Sequence, residues 1–167
     1  MKRNKKIAWM AMLLALAFVL SFLERMLSFE VPVPGVKLGL ANLAVLMAIY
    51  TMGVKGALTI SLARILLDGM TFGNAYRMMY SLAGGILSFI IMYIGKKCNW
   101  SIMSVSMAGG LCHNIGQIGA AVIILRTPEL ITYLPILILA GIATGAINGL
   151  LCGMIMKSFQ QIKRNLL

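Results

Sequence analysis

Residues 7–28 read IAWMAMLLALAFVLSFLERMLS and follow directly on the basic run MKRNKK of residues 1–6. This stretch stays apolar for about twenty residues, the length a helix needs to cross a hydrocarbon core of about 30 Å. A secretory signal peptide also opens on a basic head. No small-residue cleavage site interrupts this run, so it is read as a retained first span.

Outward from it the pattern repeats. Apolar segments follow at about 38–53, 56–70, 75–95, 101–125 and 133–156, six spans with the first. The second and third are short for a bilayer, and the Gly53-Val54-Lys55-Gly56 stretch between them fits a tight hairpin. With 60% hydrophobic and 11% charged residues, against roughly a quarter charged in soluble domains, the chain excludes a water-soluble enzyme. The expected fold is an all-α polytopic membrane protein, one integral membrane domain over residues 1–167.

The net charge of +11 is distributed by position. Lys2, Arg3, Lys5, Lys6, Lys55, Lys96, Lys97, Lys157, Lys163 and Arg164 fall at one set of span ends with no acid among them. Basic residues in short loops stay on the cytoplasmic side, so both termini are read as cytoplasmic, in a bacterial inner membrane with lipid as the main surroundings. Cations at span ends face headgroups, which argues against a nucleic-acid partner. The opposite ends hold Arg25, Lys37, Arg64, Arg77 and Arg126 with all four acids, Glu24, Glu30, Asp68 and Glu129.

Ionisable groups at membrane depth are costly and mark a ligand site, a pathway or a buried pair. Arg64 and Asp68, four residues apart on one helix, can neutralise each other. Lys37 and Arg77 sit in the first turn of outward-starting helices, where the helix dipole disfavours cations. Lys37 follows Pro32-Val33-Pro34-Gly35, and Arg77 follows Asn74, a residue suited to an N-cap. Two readings stand open there: an anion cradle, or charges offset by Glu24, Glu30 or a lipid phosphate. His113, Asn114 and Gln117 form a polar group on the fifth span, which serves as interhelical glue, as ligand contacts or, through the imidazole, as a proton gate.

Small residues make a second pattern. Gly141, Gly145, Gly149 and Gly153 recur every fourth position of the last span, and Ala11 and Ala15 repeat the interval on the first. Such ladders let helix backbones touch, within the fold or against a partner protein. Cys98, Cys112 and Cys152 show no metal-ligand spacing and are read as packing residues.

Four stretches, residues 33–42 (VPGVKLGLAN), 64–67 (RILL), 80–85 (YSLAGG) and 113–117 (HNIGQ), together resemble in order the family described as Gx transporter proteins and as heptaprenyl diphosphate synthase component I. The resemblance covers nearly the whole chain. That family is similar to the S components of energy-coupling factor (ECF) transporters, which implies six helices, a ligand pocket opening outward and a small-residue motif on the first helix. That motif, matched in spacing by Ala11 and Ala15, implies docking onto a transmembrane coupling subunit with ATPases. Under this implication Lys37, Asn42, Arg64, Arg77, His113, Asn114 and Gln117 line a site for a small anionic solute.

The chain's own chemistry limits the other label. Prenyl diphosphate synthesis of the usual kind needs aspartate clusters holding magnesium against the diphosphate, and Asp68 is the one aspartate here. No phosphate-binding Gly-rich loop is present, so ATP hydrolysis would fall to a partner. Neither a catalytic residue nor a cofactor is expected. The alternative is a non-catalytic membrane subunit, handing an isoprenoid to a soluble prenyl synthase subunit or serving a quinone- or flavin-linked redox system.

Overall fold

On the first helix, α1 (Arg3–Met26), the buried positions Leu13, Ala17, Ser21 and Glu24 fall on one stripe at helical spacing. Three small or apolar side chains face the interior and then a carboxylate does, so the stripe turns polar towards its C-terminal end. The computed structural model describes residues 3–26, 39–72 and 75–165. These form α2 (Asn42–Thr51), α3 (Gly53–Phe72), α4 (Ala75–Lys97), α5 (Ile102–Leu125), a 3-10 segment (Pro128–Tyr133) and α6 (Leu134–Asn165). The protein is an all-α polytopic membrane protein, and α1, α4, α5 and the 3-10 segment with α6 supply four spans long and apolar enough to cross a bilayer. Ile123, Leu139 and Leu150 stand exposed on their outer faces, as lipid-facing side chains do.

The second helix departs from the expected span. It begins at Asn42, after a turn in which the Asn42 and Leu43 amides bond to the Gly39 and Leu40 carbonyls, and it runs ten residues. At 1.5 Å per residue it covers about 15 Å, half a hydrocarbon core. Every residue from Leu43 to Ile49 is buried, because α1, α3 and α6 pack around it. Being apolar on all sides, it is a core helix walled by protein. Its far end is held by side chains: Trp9 Nε1 donates to Thr51 Oγ1 at 3.1 Å, and Lys96 Nζ donates to the Ile49 carbonyl while lying 5.0 Å from the Tyr50 ring centre. The hairpin into α3 is tighter than the sequence implied. Only Met52 separates the two helices, and Gly53 takes φ +77°, a left-handed value that suits glycine.

The other half of the molecule is the α4–α5–α6 sheaf, in which α5 packs extensively on both neighbours. The Gly ladder of α6 is turned onto α5. A Cβ on Gly141 would lie 2.7 Å from the Gly110 carbonyl oxygen, and one on Gly145 2.7 Å from that of Ser106. Gly149 meets Met103 in the same way, whereas a Cβ on Gly153 would touch nothing within 4 Å. Gly84 and Gly116 make the matching approach between α4 and α5. Backbones this close gain dispersion contacts that lipid cannot compete with. Replacing Gly141 by Leu should therefore lower stability by about 1–3 kcal/mol through overpacking, read as a drop in melting temperature in detergent, while Gly153→Leu leaves it nearly unchanged.

Candidate functional site

At the end of the bundle where Glu24 lies, polar groups from all six helices face one cavity of about 50 Å3, room for roughly three to five waters. Helix α1 contributes Ser21 and Glu24, α3 contributes Arg64 and Asp68, and α4 contributes Ser81. Gly110, His113 and Asn114 come from α5, Thr144 from α6, and Gly39 with Asn42 from the start of α2.

The floor of this chamber is organised by one residue. Gly39 adopts φ +68°, and in that conformation its N–H donates to Glu24 Oε1 at 2.5 Å while its carbonyl accepts from Asn148 Nδ2 at 2.7 Å. Glu24 is 6% exposed and Asn148 3%, so both bonds are made away from water and α1, the lead-in to α2 and α6 are tied together. From this turn Asn42 projects its Oδ1 towards Arg64, whose Nη2 donates to it at 3.2 Å. Arg64 also feels the charges of Glu24 and Asp68, so the guanidinium sits between two carboxylates from different helices. Its Nε is buried and has no hydrogen-bond partner. A buried charged donor left without a bond is costly.

The sequence-predicted residues divide accordingly. Asn42, Arg64, His113 and Asn114 line the chamber. Asn114 also serves as interhelical glue, since its Nδ2 donates to the Leu137 carbonyl of α6 at 2.6 Å, past Gly141, where a side chain would block it. Gln117 does not line the cavity; its side chain packs at Gly84, because α5 turns that position towards α4. Arg77 is exposed in the first turn of α4, away from the chamber. Lys37, with Pro32-Val33-Pro34-Gly35 and Asn74, lies outside the described residues. Arg64 and Asp68 do share the inner face of α3, as their spacing implied.

Sequence reasoning did not place Ser21, Gly39, Ser81, Thr144 or Asn148 at the site. The signal was present for two of them: Thr144 and Asn148 are four apart on the last helix, the interval that puts polar side chains on one face. Ala11 and Ala15 are both exposed. Ala11 lines an open apolar groove of about 230 Å3 between α1 and α3, with Met10, Leu14 and Ala63. Among the described residues no group of three His, Cys, Asp or Glu side chains gathers as metal ligands would.

A family model described as heptaprenyl diphosphate synthase component I matches residues 13–155. The chain belongs to that family. The match runs from within α1 to within α6 and so takes in every chamber residue named above. No curated protein and no solved structure matches the chain. The family is thus named as one component of a synthase.

Because Glu24→Ala removes a buried acceptor and leaves the Gly39 N–H unmet, it should cost about 1–3 kcal/mol, with Glu24→Gln costing less because it keeps an acceptor. Thermal unfolding of the detergent-solubilised variants checks this order.

Proposed function

We propose that this family member is a non-catalytic, membrane-embedded binding component that takes a small polar solute into the chamber at the Glu24 end and acts with partner subunits. The observation that carries the reading is the convergence of Glu24, Arg64, Asp68, His113 and Asn114, from three helices, on one cavity in an otherwise apolar chain. Charged groups at membrane depth are retained where they do work. The unmade Arg64 Nε bond fits an anionic oxygen of the solute, with the neighbouring amides and hydroxyls orienting it. The charge distribution supports a chamber that opens away from the cytoplasm, with both termini on the cytoplasmic side of a bacterial inner membrane. Ala11 in its groove and Ala15 on the exposed face support docking of a membrane partner on α1, such as a coupling subunit served by ATPases.

The family match favours a second reading, a membrane subunit that anchors a soluble prenyl diphosphate synthase subunit. Affinity purification in mild detergent separates the two. Recovery of an ATPase pair with a membrane coupling subunit supports solute capture, and recovery of a soluble synthase subunit without them rejects it.

Two further outcomes follow from the first reading. Loss of the charged Arg64 contact in Arg64→Ala should reduce copurified solute about 10- to 100-fold by quantitative mass spectrometry, the equivalent of about 1.5–3 kcal/mol. Single cysteines introduced near residues 4 and 165 should resist a membrane-impermeant thiol reagent in intact cells, in a background lacking Cys98, Cys112 and Cys152. Labelling of both would place the chamber on the cytosolic side.

A further inference from the structure

Below the chamber lies a second, smaller cavity of about 10 Å3, and the two share Asn42, Gly110 and Thr144 in their walls. Its remaining polar lining is Ser88 of α4, Ser106 of α5 and Asn148 of α6. Ser88 is 2% exposed and Asn148 3%. Both Ser88 Oγ and Asn148 Oδ1 are buried without a hydrogen-bond partner. Glycines make the space: Gly109, Gly110 and Gly145 line it, and a Cβ on Gly109 would come within 3.3 Å of Ser88 Oγ.

We infer that this recess is a built site for one ordered water, which joins α4, α5 and α6 beneath the solute chamber. The donor and acceptor count matches a single water. Asn148 has committed its Nδ2 to the Gly39 carbonyl, so its Oδ1 needs a donor. Thr144 Oγ1 has committed its proton to the Ala140 carbonyl at 2.9 Å and offers only lone pairs. Ser88 and Ser106 each have a hydroxyl proton able to point inwards. A water donates twice, to Asn148 and Thr144, and accepts twice, from Ser88 and Ser106, which fills its four bonds. The volume is at the threshold for one water and excludes a larger guest. A cation fits worse. No carboxylate lines the recess, and an uncompensated charge in so dry a place is heavily penalised.

The water has a defined task, because it holds the Asn148 amide in the orientation that grips Gly39. It thereby connects the helix sheaf to the turn that floors the chamber. This assignment is independent of what the chamber binds.

A structure of the full chain in lipid nanodiscs, at a resolution that shows ordered water, should contain one isolated peak about 2.6–3.2 Å from both Asn148 Oδ1 and Ser88 Oγ. An empty recess, or direct bonding between Ser88 and Asn148, overturns the assignment. A parallel measurement compares melting temperatures in NaCl and in choline chloride at equal ionic strength. Equal values are expected, and a sodium-specific rise would replace the water by a cation. Finally, Ser88→Ala and Ser106→Ala act through the same molecule, so the double variant should lose clearly less than the sum of the two single losses, whereas strict additivity counts against a shared water.

Discussion

Gly39 holds the architecture together at its most constrained point. Its left-handed φ turns the N–H towards Glu24 on α1 and the carbonyl towards Asn148 on α6, so two helices distant in sequence grip the two peptide groups that flank one α-carbon. From that turn α2 starts, and α2 fills the centre of the bundle with no lipid-facing side of its own. A helix of ten residues cannot be positioned by the bilayer and must be positioned by protein. Glu24 and Asn148 do this at one end, and Trp9 and Lys96 do it at the other. Because Asn42 leads directly out of the gripped turn, the same bonds also set where Arg64 finds its partner.

The polar chamber and the glycine contacts are two sides of one solution. Charges and amides inside a membrane are tolerable when they bond to one another across helices, which requires backbones close enough for short side chains to reach. Gly110 against Gly141 brings α5 and α6 to that distance, and Asn114 then spans the gap to the Leu137 carbonyl. Small residues on the seam therefore permit polar residues beside it. The groups of α3 and α5 can face a shared cavity because α4 lets both neighbours approach at Gly84 and Gly85.

Much of this was legible in the sequence. Apolar length and terminal charge identified the long helices, and the every-fourth-residue glycines identified the α6 seam, since both signals depend only on spacing. Arg64 and Asp68 were placed on one face for the same reason. That the second span is short was legible, but its enclosure by protein was not, because an apolar run reads the same whether lipid or protein surrounds it. The position of Gln117 relative to the chamber was not legible either. Gln117 shares a helix face with His113, and both residues pack at Gly84 of α4, but of the two His113 alone lines the chamber. Gly39 and Asn148 were hidden because their pairing spans 109 positions of chain, a contact that local periodicity cannot carry.

The enclosure of α2 gives the molecule two separate relations to its solvent. The long helices meet the acyl chains and respond to a thicker or thinner bilayer by tilting. Shielded from the lipid and tethered at both ends by side chains of its neighbours, α2 takes its depth from those tethers. The chamber floor consequently keeps its register with the surrounding protein when membrane composition changes.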